Sequence, residues 1–273
     1  LLEKILAARF GAMEEIAPEA NQSATLARMA DHRSIRRYTD KPVGENLLRA
    51  LAAVALSAPS KSDLQQADIV IIADPAKRAA LAALLPDNPW VGAAPGFAVF
   101  CGNNRRQRRV AALRGHDFAN DHLDAFFNAA VDAGIVLSAF ITAAEAIGLG
   151  TCPISAIRNH ADAVAELLAL PQHVFPVAGL CIGWPDEAGT ISPRLGLAST
   201  VHVDTHDDGN LDAQIAEYDA RRNAAKPYAT RRRDDLFGAA QPYGWSEDKA
   251  RQYAQPERKG WGRFVRAKGF TLE

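Results

Sequence analysis

Short apolar runs alternate along this chain with longer segments of helical character. "ENLLRALAAVALSA" (Glu45–Ala58) is rich in leucine and alanine and stops at Pro59, which predicts a helix. The polar loop "PSKSDLQQ" (Pro59–Gln66) follows it. "TLARMAD" (Thr25–Asp31) reads as a turn or two of helix, and Pro42 makes "TDKPV" (Thr39–Val43) an extended exit. "PAKRAALAALL" begins with Pro75 at a first helical position. Three short β-branched or apolar runs read as buried strands: Asp68–Asp74, Gly96–Gly102 and Phe175–Pro185. Asn120–Gly150 is apolar on nearly every side, which predicts a helix buried in the core and ended by Gly148 and Gly150. Asn159–Leu170 and a stretch near Leu211–Arg222 read as further helices. "RRQRR" (Arg105–Arg109) reads as a solvated loop, as does the Arg-rich stretch Arg231–Arg233, and the C-terminal segment with Trp245 and Trp261 looks exposed. With no internal repeat, this order of elements predicts α/β or α+β in a single domain over residues 1–273.

Composition narrows the function classes. Nearly half of the 273 residues are hydrophobic and the net charge is −1, so the arginine clusters are local features of a neutral molecule. A general nucleic-acid binder is usually basic throughout, and no aromatics interleave Arg33, Arg37 and the "RRQRR" run, so that class is disfavoured. The three cysteines, Cys101, Cys152 and Cys181, form no CxxC pair, which suits a reducing cytoplasm and no disulfide framework. The uncharged apolar run between Asp132 and Glu145 is shorter than the ~20 residues of a membrane helix, and no signal-peptide core opens the sequence.

Familiar catalytic motifs are missing. "GLGTCP" follows a helix, whereas a dinucleotide-binding glycine loop follows a strand. There is no GxxxxGK[ST], HExxH or GxSxG, and the histidines are scattered, so no metal site is expected. The unusual stretch is "HRSIRRY" (His32–Tyr38). A phosphate monoester is well held by guanidinium forks, a hydroxyl donor and an imidazole. On an extended segment His32, Ser34 and Arg36 share one side, with Arg33 and Arg37 facing elsewhere. An Arg-rich surface turn is the alternative reading.

"HRSIRRYTDKPV", "APSKSDLQ" (Ala58–Gln65), "GLGTCPISAIRN" (Gly148–Asn159) and "LPQHVFPVAGLCIGWP" followed by "SPRL" (Leu170–Leu195) resemble, in order and spacing, four signatures of the nitroreductase superfamily. The similarity is greatest to its NADPH-dependent branch of nitroreductases and flavin reductases. The resemblance implies an α+β fold, with a central mixed antiparallel-type sheet flanked by helices, a long core helix and a homodimer. It implies FMN as cofactor, NADPH or NADH as donor, and a nitroaromatic, quinone or free flavin as acceptor, reduced by ping-pong hydride transfer. His32, Ser34 and Arg36 match the positions that hold the FMN phosphate. Ser60, Ser62 and Gln65 match the second flavin loop, which comes from the partner subunit or packs near the ring edge. Asn88 matches an amide that hydrogen-bonds the flavin, and Pro153, Ile154 and Ser155 match the segment facing flavin N5. Arg194 matches a basic residue near the phosphate or the pyrimidine edge, and Arg231, Arg232 and Arg233 are candidates for the NADPH 2′-phosphate. No protein side chain is implied as a catalytic acid or base. The N-terminal "LLEKILAARF" and Trp245 and Trp261 are candidates for an interlocking dimer surface. Two positions depart from the pattern: Asp63 stands where relatives carry an amide, and Ser192 where they carry a lysine. Those departures leave room for a dedicated dehydrogenation or dehalogenation substrate.

Overall fold

The computed structural model describes residues 1–11, 16–239 and 242–273. These form two compact units, one of Leu1–His32 with Thr190–Glu257, the other of Arg33–Gly189 with Arg258–Glu273. In chain order, helices α1 (Leu2–Phe10), α2 (Pro18–Asn21) and α3 (Ala24–Ala30) open the first unit. The second is built from α4 (Glu45–Leu56), β1 (Ala67–Ile71), α5 (Pro75–Ala83), α6 (Trp90–Ala93), β2 (Gly96–Asn103), α7 (Arg105–Arg114), α8 (Leu123–Ala146), β3 (Gly150–Ile154), α9 (Ala161–Leu167) and β4 (Val174–Gly183). Helices α10 (Leu211–Ala225), α11 (Asp234–Phe237) and α12 (Trp245–Tyr253) return to the first unit, and α13 (Trp261–Ala267) closes the second.

In the second unit the strands run in the order β1-β2-β4-β3, and every pairing is antiparallel. Strand β2 is buried along its whole length, so its alternate side chains serve two cores. Ala98 and Phe100 meet α4 and α8, with Phe100 edge-on to Phe140 at 5.5 Å. Phe97 and Val99 pack with Leu81, Ile157 and Cys181 on the other side. Small residues at Ala125, Ala129, Ala133 and Ala144 give α8 a narrow buried face. His122 caps its start by accepting from the Asp124 N–H, and Gly148, at φ 86°, lies just beyond its end. By length and composition α8 could cross a bilayer, but it packs on the sheet and carries the buried Asp132.

Several elements differ from the sequence reading, each for a physical reason. Gly150–Ile154 is a fourth strand, which a Gly–Pro-containing pentapeptide does not signal and pairing to β4 creates. The "RRQRR" run opens helix α7 instead of a loop, because partners bind its charges: Arg106 reaches Asp68 at 2.6 Å, and Arg108 forks onto Asp121 at 2.5 and 2.8 Å. The C-terminal segment is helical, and Phe264, Val265 and Phe270 of its last part are buried against Phe175 and Ala129. Helix α8 is apolar all round but not buried all round, since Leu123, Phe127, Val131 and Ile135 are exposed.

In the first unit Leu2 and Ile5 of α1 pack on Ala27 of α3, whose start Ser23 caps. Trp245 stands edge-on to Tyr218 at 5.2 Å. In the second unit Trp261 stacks on Phe264 at 5.4 Å. The candidates for an interlocking surface thus each pack within their own unit.

Candidate functional site

The segment after His32 is extended, as its alternation requires. Ser34 bridges Thr151 in parallel and Tyr38 bridges Pro185 in antiparallel fashion. The Ile35 N–H donates to the Thr151 carbonyl at 2.8 Å, and that of Thr39 to the Trp184 carbonyl at 2.9 Å. Two glycines allow this close approach. A Cβ on Gly150 would lie 2.7 Å from Ile35, and one on Gly183 would lie 2.6 Å from Tyr38. Glu187 fixes the segment from outside, accepting the N–H of Arg36 at 2.7 Å and of Arg37 at 3.2 Å. Those bonds, the Arg36 amide foremost, hold the Glu187 carboxyl below the usual range, partly opposed by burial. Arg33 donates to the Ala188 carbonyl and Arg37 to Asp186 and Glu187, so both turn to the 186–188 turn as expected. Arg36 instead lies exposed, its guanidinium 5.3 Å over the Trp90 ring. Tyr38 donates to the Ile35 carbonyl, and burial pushes its phenol far up.

Arg36 over Trp90 brings it to the turn that holds half-buried Asn88, whose carbonyl accepts from Val91. Ser34 against Thr151 brings it to β3, which carries exposed Pro153 and buried Ile154. Ser155 follows the strand, exposed, and accepts from Arg258 at 3.4 Å. Ser34 thus meets β3 at Thr151, and Arg36 meets the Asn88–Val91 turn at Trp90.

The loop carrying Ser60, Ser62 and Gln65 stands apart from them. Its organiser is Asp132, only 1% exposed on α8. Asp132 accepts from Ser60 Oγ at 2.7 Å, from the Lys61 N–H at 3.1 Å and from the Gln66 N–H at 3.1 Å. Ser60 Oγ in turn accepts the Gln65 N–H at 2.6 Å. Ser62, Asp63 and Gln65 all have left-handed φ, between 52° and 55°. Three such non-glycine residues in four positions are costly, and strain of this kind concentrates at functional loops. Arg106 and Gln107 of α7 hold the carbonyls of Gln65 and Leu64. The loop borders a cavity of about 1060 Å³ with Arg49, Asp68 and the open edge of β1, a cavity lined by none of Ser34, Arg36, Asn88 or Pro153. Asp63 is exposed and accepts from Gln65 Nε2 at 3.2 Å. Asp132 was missed as a site residue, although a lone carboxylate between Ala129 and Val136 of an apolar helix was the available signal.

The remaining candidates lie in the first unit. The His32 carbonyl accepts from Arg9, and exposed Arg194 folds its guanidinium onto the carbonyls of Ser192 and Pro193. The Arg231–Arg233 stretch is ordered by two buried charges. Arg251 donates to the Arg232 and Gly238 carbonyls at 2.8 Å and pairs with Asp234 and Glu247. Asp248 pairs with Arg232 at 3.0 Å, and Tyr243 links them, accepting the Arg232 N–H and donating to Asp248. Arg233, itself left-handed, donates to Gln255.

Residues 29–184 match the model of the nitroreductase family, and residues 192–273 that of its C-terminal domain. The chain belongs to the nitroreductase family. It is 33% identical over 249 residues to an NAD(P)H-using FMN reductase of Bacillus subtilis (strain 168), covering 90% of this chain and 97% of that one. It is 31% identical to the NADPH-flavin oxidoreductase of Vibrio harveyi, over 90% and 98% of the two chains. Among solved structures, B. megaterium NfrA2 superposes with a TM-score of 0.83 at 33% identity, over 92% of this chain and all of that one. These similarities bear out the family and the α+β architecture read from the four motifs.

Proposed function

We propose that the protein is an FMN-dependent NAD(P)H oxidoreductase that reduces small acceptors such as nitroaromatics, quinones and free flavin. The observation that carries this is the Ser34–Arg36 segment, pinned on β3 and by Glu187 so that a hydroxyl and an unburied guanidinium are presented from a rigid backbone. That donor set fits a phosphate monoester such as the FMN tail, with His32 and Arg194 assigned to the same group. The flavin, when bound, supplies the two-electron hydride chemistry. The chain's residues bind and orient: Asn88, Pro153, Ile154 and Ser155 face the ring, and Ser60, Ser62 and Gln65 close on its edge. No side chain is needed as a proton donor or acceptor.

The separation of the Ser60–Gln65 loop from Ser34 and Arg36 supports a site completed by a second copy of the chain. The apolar stripe of α8 fits this homodimer: Phe127 is 59% and Val131 40% exposed, with Leu123 and Ile135 in line at four-residue spacing. The tethered Arg231–Arg233 loop is assigned to the 2′-phosphate of NADPH. Free thiols at Cys101, Cys152 and Cys181 suit a cytoplasmic setting. The test is a purified preparation that is yellow, releases FMN on heating and is bleached anaerobically by NADPH or NADH. Parallel double-reciprocal plots are expected, since donor and acceptor would share one site. A colourless protein that does not take up FMN, or a flavin-loaded monomer on sedimentation, would contradict the respective assignment.

A further inference from the structure

Arg9, in the last turn of α1, lies ahead of the residues matched by either family model. It is 7% exposed, unusual for an arginine. Its guanidinium reaches backbone carbonyls of two segments distant in sequence. Nε and Nη2 donate to the Ala30 carbonyl at 3.0 and 2.7 Å, and Nη2 also donates to the His32 carbonyl at 2.7 Å. Nη1 donates to the Ser192 carbonyl at 3.2 Å. The main chain of Arg9 makes the return contact. Its carbonyl accepts the Arg194 N–H at 2.6 Å and Arg221 Nη1 at 3.2 Å, while Arg221 Nη2 donates to the Arg194 carbonyl at 2.6 Å. Gly11 makes room for Arg221, since a Cβ there would lie 3.1 Å from its Nε, and its φ of 88° also favours glycine.

We propose that Arg9 is a positioning residue for the anion site: it staples the His32 backbone to the Ser192–Arg194 backbone, and so sets where the imidazole and the Arg194 guanidinium can meet the flavin phosphate. The proposal rests on the FMN reading above. The cation serves twice. It satisfies carbonyls at the C-terminal end of α3, where positive charge is favoured, and it joins two strands of backbone through one planar fork. A lysine has a single donor centre and cannot span the Ala30, His32 and Ser192 carbonyls together. Charge-assisted bonds to phosphate are strongly geometric, so loosening either segment weakens the phosphate contacts while leaving contacts to the isoalloxazine ring alone.

Riboflavin carries the same ring without the phosphate and isolates this effect. Apoprotein of the wild type, Arg9→Ala, Arg9→Lys and Arg221→Gln is titrated with FMN and with riboflavin by flavin fluorescence quenching, with circular dichroism melts of each variant. Arg9→Ala is expected to weaken FMN at least tenfold and riboflavin less than twofold. Arg9→Lys and Arg221→Gln fall between Arg9→Ala and the wild type. Equal weakening of both flavins, or FMN affinity within twofold of the wild type in Arg9→Ala, overturns the proposal. Should Arg9→Ala not fold, the same ratio in Arg9→Lys and Arg221→Gln decides, and an unchanged ratio overturns it. A wild type that binds FMN no more tightly than riboflavin refutes the phosphate reading itself, and the proposal with it.

Discussion

Replacing Asp132 by asparagine should loosen the loop that carries Ser60, Ser62 and Gln65 without disrupting the sheet. Asp132 accepts three hydrogen bonds from that loop, two at Oδ2 (Ser60 Oγ and the Gln66 N–H) and one at Oδ1 (the Lys61 N–H). Bonds to a charged group are worth about 1.5–3 kcal/mol each. Against them stands the left-handed backbone of Ser62, Asp63 and Gln65, at a cost of roughly 1–2 kcal/mol per residue. The carboxylate therefore offsets the strain with a modest surplus. In Asp132→Asn the amide oxygen can keep Ser60 and Gln66, but the amide NH₂ then faces the Lys61 N–H. One partly buried donor is orphaned, at about 1–3 kcal/mol. In Asp132→Ala all three donors lose their partner, and relaxation of the strained residues limits the total to about 3–5 kcal/mol. Urea unfolding of the apoprotein gives these differences, and native-state hydrogen exchange locates them. The amides of Lys61 and Gln66 should lose protection, while those of the buried strand β2 fall only by the global change. An asparagine variant within about 0.5 kcal/mol of the wild type, with unchanged exchange at Lys61 and Gln66, would refute the reasoning.

Arg36→Ala should lower the FMN content of the purified protein far more than Arg33→Ala, because Arg33 is committed to the Ala188 carbonyl; equal flavin content in the two would contradict this. Replacing Arg231, Arg232 and Arg233 together by alanine should cut the kcat/KM ratio of NADPH over NADH by about tenfold or more, since two charge-assisted contacts are lost; a ratio that does not move removes the loop from cofactor selection. Acid should weaken the fold through Glu187, Asp121 and Asp248, all of which have carboxyls held low in the folded protein. The Arg108 hydrogen bond lowers Asp121; at Asp248 burial pushes upward, but the bonds from Lys249, Tyr243 and Arg232 outweigh it. Groups depressed on folding contribute fully above their unfolded pKa of about 4 and lose that contribution as the pH falls through the folded value. Stability measured by urea titration should thus fall through these carboxyls below about pH 5, and Glu187→Gln should flatten part of that fall.

The sequence by itself determined the features that depend on neighbours along the chain. Pro75 opens α5 and Gly148 follows the end of α8, as proline and glycine dictate locally. The alternation of "HRSIRRY" placed Arg33 and Arg37 away from Arg36, and an extended backbone alone requires that. Four motifs in order were enough for the family. Tertiary structure alone decided what depends on partners distant in sequence. Gly150–Ile154 becomes a strand only because β4 pairs with it, and the "RRQRR" run becomes a helix whose charges are held by Asp68 and Asp121. Asp132 and Arg9 are single polar residues on apolar helix faces, a pattern that does not name their partners. Their partners lie 66–72 residues away for Asp132 and up to 183 for Arg9. A hydrogen bond between distant segments leaves no periodic trace in either one, so only the folded chain shows that these two side chains hold the loops of the candidate site.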